Sequence, residues 1–215
     1  MKHNQSGFTL VEIAIVLVII GLLLGGVLKG QELITQAKIK NVSNDLNGVT
    51  VAIYGYQDRY KRLPGDDPGR TRWSVGGAAL AAGSGNNVLS GAYSSTTNTD
   101  ETRMFWMDLR MAGFVAGDTS SVANGSTQPL NAAGGIIGVQ AGGLGLTGTV
   151  VCAGSLPAKV AQALDSQMDD GNASTGSVRA LLETTPPTDV PVTAPGTFPN
   201  YVDNGSNLYV LCKNI

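Results

Sequence analysis

The residues whose types and spacing suit chemistry fall into four groups. The first is a lone carboxylate, Glu12, near the start of a run from Phe8 to Leu28 that carries no other charge. An ionisable group in so apolar a segment is costly and is usually retained for a purpose. A cut between Gly7 and Phe8 would create an α-amine four residues from Glu12. Amine and carboxylate would then be tolerable together where each alone is unfavourable, a register device for docking one chain on another. The alternative is that Glu12 simply reaches the membrane interface from near a helix end. The second group is Cys152 and Cys212, each in an apolar, strand-like context. In an exported domain such a pair most often forms a disulfide, the alternative being two free buried thiols. The third is Asp165, Asp169, Asp170 and Asn172 around Gly171, with Asp66 and Asp67 as a second acidic turn. Calcium takes such oxygens, but the order Asp169-Asp170-Gly171-Asn172 lacks the alternating ligand spacing of an EF-hand loop. The same residues equally make a turn after a short helix. The fourth is Gly143-Leu144-Gly145-Leu146-Thr147-Gly148, which satisfies G-x-G-x-x-G.

Catalytic chemistry finds little support. The dinucleotide fingerprint needs a strand before it and a helix after, and Thr149-Val150-Val151 reads as a strand. The single histidine, His3, lies ahead of the apolar run. A chain cut after Gly7 would hold no imidazole, which excludes Ser-His-Asp, Cys-His and H-E-x-x-H arrangements. Two cysteines without histidine make a poor zinc site. The expectation is no enzyme and no cofactor, with calcium at the Asp165 turn as the exception to watch. A net charge of −2, with no basic patch, gives no support for nucleic-acid binding.

Those groups must be positioned by two kinds of element. Phe8 to Leu28 is 21 residues, about 31 Å as a helix, enough to cross a hydrocarbon core. A secretory signal would place small residues at a cleavage site after the apolar region, and none precedes Lys29 in that pattern. Lys2 keeps the short leader cytoplasmic by the positive-inside bias. Gly21 and Gly25 form a G-x-x-x-G, which suits close helix packing. Beyond it, Ile39, Val42, Leu46, Val49, Ile53, Tyr56 and Tyr60 recur at spacings of three and four between polar residues. This is one apolar stripe on a helix running to about Arg62, roughly 80 Å in all. Leu63-Pro64-Gly65-Asp66 ends it. The stripe reads as the face that docks on a globular head rather than a coiled-coil seam, because the long non-helical region that follows needs something to pack on.

The segment Ser6-Gly7-Phe8-Thr9-Leu10-Val11-Glu12, with the apolar run behind it, resembles the class III signal of type IV pilins and type II secretion pseudopilins. The resemblance covers the first quarter of the chain. It implies that a prepilin peptidase cuts after Gly7, that Phe8 becomes the N-methylated terminus, and that Glu12 is the assembly carboxylate. It further implies a single-pass subunit of the bacterial inner membrane with its head on the periplasmic side. The implied partners are other pilin or pseudopilin subunits and the filament-assembly machinery. Many members carry a proline near the position of Lys29; this chain has none, and Gly25, Gly26 and Gly30 are what would loosen the helix there. The Tyr60–Asp66 junction is similar to helix-to-head junctions in some pilin-like proteins. A Cys152–Cys212 bond would likewise resemble the C-terminal disulfide of many type IV pilins.

The resulting expectation is an α+β chain. Residues 1–7 form a cleaved leader, 8–29 the membrane and assembly half of the helix, 30–63 its amphipathic half, and 64–215 a small β-rich head. All 9 prolines lie in the head. Expected strands are Gly135–Val139, Thr147–Ala153, Leu208–Cys212 and, more weakly marked, Phe198–Val202. Expected helices are Arg103–Met111 and Ala158–Met168, with loops at Gly83–Asp100, Asp118–Asn131 and Thr184–Pro199. A rival from another class is a membrane-tethered binding module that never polymerises.

Overall fold

A computed structural model describes residues 9–193 and 200–215. The chain divides into two compact units, residues 1–37 and residues 38–215. One helix, α1 (Leu10–Tyr60, 51 residues), contributes to both.

In the first unit every large aliphatic side chain of α1 from Leu10 to Leu28 is exposed. The best 18-residue window of the helix has a mean hydropathy of 2.8. A helix apolar all round and unburied within its own chain is the signature of a segment that finds its apolar partner in lipid or in other chains.

In the second unit α1 buries Val42, Leu46, Val49, Ala52, Ile53 and Tyr56, with Ile39 and Tyr60 at the margin. These are the stripe residues, and their spacing puts them on one face. The face packs into the head core, against Phe105, Trp106 and Leu109 among others. The helix ends two residues earlier than expected. Lys61 takes φ 56° and donates its amide to the Gln57 carbonyl at 2.8 Å. Pro64 disfavours helical backbone at the residue before it.

The head then runs through a 3-10 turn (Pro68–Arg72), a minimal hairpin of β1 (Ser74–Val75) and β2 (Ala78–Ala79), and helices α2 (Glu101–Met111) and α3 (Val122–Gly125). There follow β3 (Ile137–Gly143), β4 (Leu146–Pro157), α4 (Ala158–Met168), β5 (Val178–Glu183) and β6 (Leu208–Asn214). The four longer strands form one antiparallel sheet in the order β3-β4-β6-β5. Side chains alternate across it. Val139, Val151, Ala153, Tyr209 and Leu211 join the core that holds the α1 stripe. Val150, Cys152, Val210 and Cys212 face the other way, under Tyr93 and Val190. Both faces are therefore buried, the second by loops alone.

Three sequence expectations need amendment. β5, Val-Arg-Ala-Leu-Leu-Glu, was not among the expected strands; its residues favour helix, and pairing with β6 overrides that preference. The Asp118–Asn131 loop contains α3, and Leu130 bridges Ile136. Of the expected strand Phe198–Val202, residues 198 and 199 lie outside the described residues, and 200–202 form no strand. There Tyr201 packs its ring on Tyr209, centroids 5.2 Å apart, and the Val202 amide donates to the Tyr209 hydroxyl. Side-chain anchoring replaces a ladder.

Candidate functional site

Glu12 sits in the first turn of α1, and Thr9 caps that turn. The Thr9 amide and hydroxyl both donate to Glu12 Oε2, each at 2.8 Å, while the Glu12 amide donates to Thr9 Oγ1 at 3.3 Å. This is a reciprocal capping box, and its sequence signal is Thr9-x-x-Glu12. The carboxylate is thus oriented at a helix N-terminus, where the helix dipole favours an anion. Among the described residues Oε1 has no partner, which leaves one oxygen for an incoming cation. Gly7 and Phe8 lie outside the described residues. Gly21 and Gly25 have no atom within 4 Å of where a Cβ would stand, so that face of the helix admits close approach of another backbone.

At the far end of α1, residues 63–67 are all buried. Asp66 accepts four hydrogen bonds from one loop. Its Oδ1 takes the Ser84 hydroxyl (2.7 Å) and the amides of Gly85 (2.6 Å) and Asn86 (3.1 Å), and its Oδ2 takes the Asn87 amide (2.6 Å). Asp67 accepts from the Tyr56 hydroxyl and the Gly69 amide and pairs with Arg72. Asp108, on α2, accepts the Gly65 amide and pairs with Arg70, both at 2.8 Å. Burial pushes the Asp108 carboxyl up to about 6, against the opposing pull of Arg70 and the Gly65 amide. Gly65 has φ +88°, and a Cβ there would collide with the Glu101 carbonyl. Within the Pro-Gly-Asp-Asp turn Asp66 thus holds the loop at residues 84–87, and Asp67 ties the turn to Tyr56 and Arg72.

The Asp165 turn is also hydrogen-bonded within its own chain. Asp165, Asp169 and Asp170 lie close enough to share an ion. Yet Asp165 accepts the Tyr201 hydroxyl at 2.6 Å and the Gly171 amide at 3.2 Å. Asp169 accepts the amides of Ser177 and Val178, and the Ala180 amide donates to the Ala173 carbonyl. These bonds cap the outer edge of β5, where unpaired amides would otherwise invite another strand. Asp170 accepts from Asn172 and Thr175, and Asn172 Oδ1 accepts from Ser174. Burial pushes Asp165 above the usual carboxylate range, with Tyr201 and Gly171 pulling it back. Through these bonds the turn closes a loop and protects the β5 edge.

Cys152 and Cys212 are directly opposite in the β4–β6 register and are joined as a disulfide. The G-x-G-x-x-G stretch is a hairpin tip. Leu144 (φ 53°) and Gly145 (φ 79°) are the two loop residues joining β3 to β4, both at positive φ as a type I′ turn requires. Strands flank it on both sides, so no helix N-terminus is available to a phosphate.

Compared with known proteins, residues 2–28 match the family model described as the prokaryotic N-terminal methylation motif. No curated protein and no solved structure matches the chain.

Proposed function

From a chain that carries the prokaryotic N-terminal methylation motif, we propose a structural subunit of a type IV pilus-like or type II secretion filament. Cleavage after Gly7 by a prepilin peptidase removes residues 1–7, and methylation follows at Phe8. Residues 8–29 hold the subunit in the inner membrane with its head on the periplasmic side, until the assembly machinery transfers it to the filament. There the apolar helices bury one another, a Phe8 amine meets Glu12 to set the register, and the heads tile the outside. The role is structural rather than catalytic.

The observation that carries this reading is Glu12 itself. It is one capped carboxylate, with an oxygen to spare, heading a helix whose aliphatic side chains are exposed from Leu10 to Leu28. Glu12→Ala tests it in the native host. The expected result is loss of filaments with the subunit still membrane-associated. Filaments at the wild-type level would refute the assembly role, and a helix serving only as a tether would then be the better account.

A further inference from the structure

A cavity of about 150 Å³ lies in the head between the β1–β2 hairpin and helices α2 and α3. Leu80, Met104 and Val122 are among its apolar walls, and its polar side chains are Arg70, Asn98 and Thr99. Arg70 is 2% exposed, yet its guanidinium is incompletely used. Nε pairs with Asp108 Oδ1 at 2.8 Å, and Nη1 donates to the Ala81 carbonyl at 3.0 Å. A carboxylate meeting an arginine side-on takes a second nitrogen as well, but Asp108 Oδ2 is held by the Gly65 amide. Among the described residues Nη2 therefore has no partner, and a buried donor without one is costly. Asn98 adds donors of its own. Arg103 Nη2 donates to Asn98 Oδ1 at 2.9 Å, which fixes the amide and leaves its NH2 group without a partner among the described residues. The Thr99 hydroxyl has none there either. Behind Asn98, Arg103 is 8% exposed and has no acidic partner among the described residues. No acid lines the cavity, so its local potential is positive.

We infer that this cavity binds a short aliphatic carboxylate. The carboxylate takes Arg70 Nη2 and the Asn98 amide, and the hydrocarbon lies against Leu80, Met104 and Val122. The charge of the ligand follows from the donors: two unpartnered nitrogens and a hydroxyl face the space, with a second guanidinium behind them. A cation would be repelled, and a neutral molecule would forgo the charge-assisted bond to Arg70. The size follows from the room, which is about that of five waters at roughly 30 Å³ each. A four-carbon acid such as butyrate fills it. The site lies within one head, so neither it nor its test depends on filament assembly.

The test uses the full chain in detergent micelles, carrying 13C at its methionine methyls. Met104→Leu identifies the Met104 signal, and the other methionines, none of which lines the cavity, serve as internal controls. Butyrate should move the Met104 signal along a saturable curve with a dissociation constant on the order of 1 mM, the scale open to so small a ligand. Butyramide has the same shape without the charge, and benzoate is too large for the cavity. Each should bind at least about tenfold more weakly. Asn98→Asp keeps the side chain's shape, gives Arg103 an acid and sets a negative charge against the ligand. It should weaken butyrate at least about tenfold while the urea midpoint stays at or above that of wild type. A Met104 signal unmoved by about 50 mM butyrate, butyramide or benzoate binding as well as butyrate, or undiminished affinity in Asn98→Asp would each overturn the inference. The comparison of butyrate with butyramide needs no substitution, and decides the matter even if Asn98→Asp does not fold.

Discussion

Replacing Asp66 by alanine should loosen the head more than any change on its surface. The side chain is 1% exposed and accepts four hydrogen bonds from residues 84–87, three of them from backbone amides. Each bond to a charged acceptor contributes about 1.5–3 kcal/mol, but four on one carboxylate do not add, and water re-solvates part of the loop. Breaking a buried network of this kind costs about 3–5 kcal/mol. For a unit of this size that lowers Tm by roughly 6–20 °C. Asp66→Asn is the finer probe. It keeps the shape and one acceptor oxygen but turns an amide nitrogen towards another donor, so the expected loss is about 2 kcal/mol. The assay is urea unfolding of the full chain in detergent, followed by near-ultraviolet circular dichroism, which reports Trp73, Trp106 and the buried tyrosines. The order wild type, Asp66→Asn, Asp66→Ala in falling midpoint is expected. An alanine variant within about 0.5 kcal/mol of wild type would refute the reasoning, because surface changes alone have effects that small.

The disulfide closes a loop of 60 residues, so Cys152→Ser with Cys212→Ser should cost about 4 kcal/mol by the chain-entropy relation; an unchanged midpoint in urea would contradict it. Asp108 should give an unusual pH dependence. Its folded pKa, about 6, stands above the ordinary aspartate value of 3.8, so between those values the folded state holds a proton that the unfolded state has released. Stability contributed by this group is therefore present below about pH 4 and lost as pH rises through 6, on the order of 2–3 kcal/mol. Asp108→Asn should remove that slope in urea midpoints measured from pH 4 to 7, and an unaltered slope would assign it elsewhere.

Much of the architecture was legible because its causes are local. The Val42–Tyr56 stripe follows from spacing alone. Ala158–Met168 coincides with α4 to the residue, since Pro157 opens the helix and Asp169-Asp170-Gly171 closes it. β4 declares itself through Thr149-Val150-Val151, and β6 through the apolar run Leu208–Cys212. The remainder was hidden because it depends on distant partners. Arg179 to Glu183 favours a helix by composition and is a strand only because β6 lies beside it. The 84–90 loop looks unstructured as a string of Gly, Ser and Asn, yet Asp66 and Glu101 bind its amides from 11 to 21 residues away. At the candidate site the charge was visible in the sequence, and its orientation comes from Thr9, whose amide and hydroxyl hold one carboxylate oxygen.

The central claim is tested most directly by the intact mass of the protein purified from its own host's membranes. The account predicts a chain that begins at Phe8 and carries one added methyl group. A mass that retains residues 1–7, in cells whose prepilin peptidase is active, would deny Glu12 its amine and contradict the account.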